Sequence, residues 1–173
     1  MRHHSGFTLV ELLTTVTIFT TLLSLAIPSF RSMAERNQIA AAHNAFLSTI
    51  QFTRSEAIKR GNSVTICKWD NINVICDAER SWQGGWAVFD DKNGDGNKTS
   101  NEDIIRIHKA LPPTMQMHYN HVRLKYNAEG LSIGYSGTIT FCSQGTQTTK
   151  QGMTLSSVGR IRIAEQSALE DCL

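Results

Sequence analysis

Net charge is scarce in this 173-residue chain: 17 Lys and Arg stand against 15 Asp and Glu, a formal +2 at pH 7. The protein is no polycation, so any contact with nucleic acid must come from a local patch. Catalytic signatures are missing as well. There is no G-x-S-x-G, no H-E-x-x-H and no phosphate-cradling glycine loop, and Gly134-Tyr135-Ser136-Gly137 has the wrong spacing for a nucleophile turn. Of six histidines, His3 and His4 sit at the N-terminus, while His43, His108, His118 and His121 are scattered. His118 and His121 are close enough in sequence to be weighed as a shared site, but solvated strand or turn positions are the expectation. No enzyme is expected. Thiols are few, and no C-x-x-C or H-x-x-x-H spacing accompanies them, which argues against zinc.

Charge is scarcest between Phe7 and Phe30, where Glu11 is the one ionised side chain. At ~1.5 Å per residue, a helix over this run spans the ~30 Å hydrocarbon core of a membrane. An acid inside such a helix is costly unless paired, which makes it a functional hypothesis by default. If the peptide bond after Gly6 is cut, the new ammonium of Phe7 on one subunit can neutralise Glu11 of a neighbour and set the register of an assembly. The alternative is a secretory signal peptide, with Arg2 as its basic region and Ser24-Leu25-Ala26 as its cut. The buried acid, the length of the run and a helical pattern continuing past that cut all oppose it.

Gly6-Phe7-Thr8-Leu9-Val10-Glu11-Leu12-Leu13, after the short basic leader Met1 to Ser5, resembles the class III leader of type IV pilins and type II secretion pseudopilins. The resemblance implies a prepilin peptidase that cleaves after Gly6, N-methylation of Phe7, and an assembly role for Glu11. It also implies a single-pass precursor in a bacterial inner membrane that later joins other pilins or minor pilins in a type IV pilus, with its globular domain periplasmic or extracellular. The expected organisation is a cleaved leader (1–6), a transmembrane or filament-core helix (7–30), an amphipathic helix half (31–60) and a β-rich globular domain (61–173).

Pro28 should loosen the helix near residues 24 to 28 without ending it. Beyond it, Ile39, Ala42, Phe46, Ile50, Thr53 and Ala57 recur at steps of three and four, while Arg36, His43, Arg54 and Lys59 fall largely on other faces. Gly61-Asn62 stops the helix. Strands are expected near 63–68, 73–77, 85–90, 104–110, 115–119, 122–127, 138–142, 153–158 and 161–165. The fold class is α+β, one long N-terminal helix packed against antiparallel sheet, as in the pilin fold. In an exported chain, Cys67, Cys76, Cys142 and Cys172 should form disulfides. Of three connectivities the reading favours Cys67 with Cys76 across a local hairpin, and Cys142 with Cys172.

The run Trp82-Gln83-Gly84-Gly85-Trp86-Ala87-Val88-Phe89-Asp90, followed by an Asn/Gly-rich loop, is similar to the GspH/FimT family of pilin-like proteins. Near the C-terminus stands Gly159-Arg160-Ile161-Arg162. In a strand, Arg160 and Arg162 point to one face with Cα atoms ~6.6 Å apart. Two planar guanidiniums at that separation can grip successive phosphates, and Gly159 frees the turn before them. Spacing alone favours an exposed hairpin whose outward positions are arginines, and Arg123 and Lys125 show the same alternation. G-R-x-R also resembles the DNA-binding motif of FimT-type minor pilins, which implies double-stranded DNA as a partner in natural transformation, through Gly159, Arg160 and Arg162. Lys150 can widen that patch. The alternative is a purely structural subunit, either a FimU-like minor pilin that primes pilus assembly or a GspH-like pseudopilin of a secretion filament.

Asp91, Asn93, Asp95 and Glu102 complete the spacing D-x-N-x-D-G-x5-E of a calcium loop. Strand patterns flank it where an EF-hand has helices, so an ordinary hairpin loop is the expectation. Calcium stays open as the one cofactor option.

Overall fold

The computed structural model describes residues 8–70, 72–73, 75–143 and 149–170. Its first element, α1, runs unbroken from Leu9 to Arg60. Thr8 starts it with a capping box: the Thr8 hydroxyl accepts from the Glu11 amide at 3.2 Å, and a Glu11 carboxylate oxygen accepts from the Thr8 amide at 3.0 Å. The threonines of the apolar half do not need water. Thr14, Thr15, Thr17, Thr20 and Thr21 each donate to a carbonyl three or four residues back. Pro28 lies inside the helix, which continues past it; having no N–H, it leaves the Ser24 carbonyl without an i+4 donor. Gly61 ends α1 in the left-handed region at φ 68°, its N–H donating to the Ala57 carbonyl at 3.0 Å.

The two halves of α1 differ in what they touch. Every residue from Leu9 to Arg31 is exposed, whereas Ile39, Ala42, Phe46, Thr49, Ile50, Thr53, Glu56 and Ala57 are buried. The apolar face read from the sequence is therefore the packed face, joined by two polar members, Thr49 and Glu56. By length and composition α1 can cross a membrane.

Nine strands follow among the described residues: β1 (Ser63–Asp70), β2 (Ile75–Cys76), β3 (Trp86–Asp91), β4 (Ile104–His108), β5 (Met115–Tyr119), β6 (Arg123–Tyr126), β7 (Gly137–Ser143), β8 (Lys150–Leu155) and β9 (Ile161–Ile163). They form two antiparallel sheets. In the first, β3 lies along one edge of β1 and carries β4 outside it, while β6 (against residues 64–67) and β2 (against 69–70) share the other edge. The second has the order β5-β7-β8-β9, which leaves β9 at its edge. The strand expected at 153–158 instead occupies Lys150–Leu155, because residues Ser156 to Arg160 turn back toward β9.

Both sheets pack on the lower half of α1. Phe46 is the hub: its ring meets Trp86 at 5.0 Å, Trp82 at 5.7 Å and Phe141 at 6.2 Å, all edge-on. Edge-on contacts suit the ring quadrupoles and add ~1 kcal/mol each to area burial. The indole N–H groups are satisfied, Trp86 by the Thr49 hydroxyl at 3.2 Å and Trp82 by the His121 carbonyl at 2.9 Å. Thr49 is thus buried in order to hold Trp86. Cys67 and Cys76 form a disulfide across the β1–β2 hairpin, with Cα atoms 5.6 Å apart. Cys142 is also disulfide-bonded, and its expected partner Cys172 lies outside the described residues.

Candidate nucleic-acid interface

The turn between β8 and β9 carries the arginine pair, and its shape follows from one glycine. The Gly159 amide donates to the Ser156 carbonyl at 2.8 Å, closing a turn, and Gly159 then takes φ 78° before the chain enters β9. The Ser156 hydroxyl accepts from the Arg160 amide at 3.1 Å, and the Ser156 amide donates to the Arg160 carbonyl at 3.0 Å. Arg160 is therefore held at its backbone while its side chain is exposed.

The strand expected to carry both arginines holds one of them. Only Arg162 lies in β9; Arg160 is the last residue of the turn, because Ser156 ties up both its amide and its carbonyl. Both side chains remain exposed on either side of the half-buried Ile161, and neither guanidinium has a partner among the described residues.

Gly159 is fixed from the far side by two groups that sequence spacing did not reveal. Its carbonyl accepts from Arg54 Nη1 of α1 and from the Tyr126 hydroxyl of β6, both at 3.2 Å. Burial pushes the Tyr126 phenol up to about 12, so it stays a donor throughout the physiological range. Arg54 thereby brings a third, half-buried positive charge to the backbone of the motif. A second glycine turn backs the first: Gly130 has φ 74°, its amide donates to the Asn127 carbonyl at 2.9 Å, and the Ser132 amide donates to the Ser157 carbonyl at 3.1 Å.

Lys150 does not join this group. It opens β8 four residues before Thr154, the partner of Arg162, which is ~13 Å along a strand. Lys150, Gly152 and Thr154 share a face by alternation. The Leu169 side chain lies where a Gly152 Cβ would be, so the C-terminal tail crosses between Lys150 and Arg162. The tail is pinned there by the Glu170 amide donating to the Thr140 hydroxyl at 3.3 Å and by a His118–Glu170 pair at 2.5 Å. His118 and His121 make no common site either, since the His121 ring meets the Ser136 carbonyl at 3.1 Å.

The other sequence-derived sites lie apart from the turn. Gly6 and Phe7 are outside the described residues. Glu11 caps α1, a local role the membrane argument overlooked although Thr-x-x-Glu is legible as a capping box. Asp91, the last residue of β3, and Glu102 are buried, while Asn93 and Asp95 are exposed in the loop between them. Among the described residues no three His, Cys, Asp or Glu side chains gather as a metal cluster.

Comparison with known proteins places these elements. No curated protein sequence matches significantly. The chain is similar in fold to the type IV minor pilin FimU of Pseudomonas aeruginosa strain PAO1, with TM-score 0.58, 20% identity, and coverage of 78% of this chain and 94% of that one. It is also similar to the minor pseudopilin EpsH from the type 2 secretion system of Vibrio cholerae, with TM-score 0.52, 13% identity, and coverage of 73% and 96%. The fold is the pilin fold. A model of the prokaryotic N-terminal methylation motif matches residues 1–27, in keeping with a membrane-anchored pilin precursor. Since the family model for type II transport protein GspH matches residues 42–159, more than half its length, the chain belongs to the GspH family of pilin-like proteins.

Proposed function

We propose that this chain is a minor type IV pilin whose exposed Arg160 and Arg162 bind extracellular double-stranded DNA without regard to sequence, for uptake in natural transformation. The family and the pilin fold support the filament role. The DNA role rests on one observation: two exposed guanidiniums, unpartnered among the described residues, leave a turn that Gly159, Arg54 and Tyr126 hold rigid. Rigid placement lowers the entropy lost on gripping a phosphate backbone. Gly159 supplies geometry, the two arginines supply contacts, and Lys150 lies too far along β8 to share a phosphate with them. Prepilin peptidase would release residues 1–6 and expose Phe7 for methylation, and the inner membrane would hold the precursor until assembly.

Neutralising ~2 to 4 phosphates gives a slope of log K against log salt of about −2 to −4, so one copy binds weakly. Several copies in a filament raise avidity. The test uses the protein without residues 1–33, which retains every buried residue of α1. Fluorescence anisotropy with duplex DNA across a salt series should show sequence-indifferent binding that weakens along that slope. The double variant Arg160→Ala, Arg162→Ala should lose about tenfold or more in affinity. Equal affinity in that variant would remove the turn from the mechanism.

A second reading is a purely structural subunit of a pilus or of a secretion filament. It is favoured by the fold likeness to both FimU and EpsH. Under it, the double arginine variant assembles normally and DNA fails to bind even the unaltered protein.

A further inference from the structure

The loop joining β3 to β4 holds two buried acids that the filament and DNA readings leave unused. Asp91 is wholly buried and Glu102 is 4% exposed. One oxygen of each is satisfied. Asp91 Oδ2 accepts from the Thr65 hydroxyl at 2.7 Å and from the Gly96 amide at 3.0 Å. Glu102 Oε2 accepts from the Thr99 amide at 2.8 Å and from its hydroxyl at 3.0 Å. The second oxygen of each, Asp91 Oδ1 and Glu102 Oε1, is shut away from solvent with no hydrogen-bond partner.

A buried acceptor without a partner costs about 1 to 3 kcal/mol, and more when charged, so two in one loop call for an explanation. The nearby cations do not supply it. Lys125 Nζ is spent on the Gly94 carbonyl at 2.6 Å. Arg123 Nη1 donates to the Asp95 carbonyl and the Asn97 side chain. Lys92 reaches the Asn101 carbonyl at 3.4 Å and the Asp103 carboxylate at 3.6 Å. Each braces the loop from outside, and none meets the orphaned oxygens. Burial holds the Asp91 carboxyl above its ordinary range, opposed by the Thr65 hydrogen bond and reinforced by the negative charge of Glu102, so the two acids sense each other.

The same residues stand at the first and last places of the D-x-N-x-D-G-x5-E spacing, where a calcium loop draws its charged oxygens. Between them the backbone passes through left-handed turns at Gly94 and Gly96, with φ 72° and 75°. Asn93 and Asp95 are stitched together by the Asn93 amide to the Asp95 carboxylate at 3.0 Å and by the Asp95 amide to the Asn93 oxygen at 3.1 Å.

We propose that the loop Asp91–Glu102 closes on calcium, with Asp91 and Glu102 supplying buried carboxylate oxygens; Asn93 and Asp95, which do not gather with them in the structure, turn inward on binding, and main-chain carbonyls and water complete the shell. Calcium accepts six to eight oxygen ligands in loose geometry, which suits a hairpin loop, whereas magnesium demands a near-ideal octahedron. With two charged groups already buried and the third at the surface, the site belongs to the weak extracellular class, with Kd about 0.1 to 1 mM. This inference is independent of the DNA reading, since the loop is held by Thr65 of β1 and by Arg123 and Lys125 of β6, while Arg160 lies in the β8–β9 turn and Arg162 in β9.

The test takes the full chain in detergent, stripped with a chelator and titrated with calcium or magnesium at neutral pH, following the melting temperature and the heat of binding. Calcium should raise the melting temperature and saturate near millimolar concentration, and magnesium should shift it far less. Glu102→Gln keeps an acceptor for Thr99 while losing the charge, and Asp95→Ala changes an exposed position, so both should melt cooperatively in chelator. Each should weaken calcium binding about tenfold or more. The proposal fails if calcium up to about 10 mM leaves the unaltered protein unchanged, or if both variants keep the original affinity, which would mark adventitious binding only.

Discussion

At Gly159 the difference between a hydrogen atom and a methyl group decides whether the β8–β9 turn can close. A Cβ there would stand 2.6 Å from the Tyr126 ring and 2.8 Å from the Gly130 carbonyl, besides the strain of a side chain at φ 78°. Gly134 offers the contrast: it has φ 85° but nothing within 4 Å of an added Cβ. Gly134→Ala should therefore cost only backbone strain, about 1 kcal/mol. Gly159→Ala should cost about 2 kcal/mol or more, because the clash falls on a ring and a main-chain oxygen that cannot swing away. Urea unfolding of the two variants checks this, and equal losses would mean that the turn yields to the methyl. That a glycine was needed before the arginines was legible in the sequence. Arg54 was not, because its partner is a carbonyl 105 residues away and a lone arginine on a helix carries no mark of such a bond.

Among the elements, α1 was the most readable, since burial on one face of a helix imposes a period that few other constraints disturb. Thr49 and Glu56 escaped notice because each is buried for a polar reason. Thr49 accepts the Trp86 indole, and Glu56 accepts Arg60 Nε at 2.8 Å while Arg60 reaches Asp90 at 3.0 Å. Strand ends were less legible. Met153 to Val158 reads as one alternating run, and only the hydrogen bonds of Ser156 show that the last part turns away. The β1–β2 hairpin is too short to hold itself, since β2 has two residues against Trp69 and Asp70. The Cys67–Cys76 bond does that work by closing a loop with a sequence separation of 9. Replacing both cysteines by serine should cost about 2 to 3 kcal/mol by chain entropy. Denaturant unfolding of that variant beside the unaltered protein under reducing and oxidising conditions checks it. The unaltered protein should lose its margin over the variant when reduced.

For the whole molecule, the division of labour along α1 governs what can be changed without harm. Residues Leu9 to Arg31 are exposed throughout, so they add nothing to the stability of the globular part and are available to a membrane or a bundle of like helices. Glu11 sits at the top of this segment with two candidate roles that a single substitution can separate. As a cap it needs only an acceptor for the Thr8 amide, which glutamine provides as well as glutamate. As the counter-charge of a Phe7 ammonium on a neighbouring subunit it needs the negative charge itself. Glu11→Gln should therefore leave the helix start and the melting of the globular domain unchanged while abolishing incorporation into filaments, scored by the protein recovered in sheared surface fibres. Glu11→Ala should do the same to assembly and also fray the first turn. If the glutamine variant enters fibres as the original does, the cap is the whole of what Glu11 contributes, and the register of the filament must be set by the apolar faces of the stems alone.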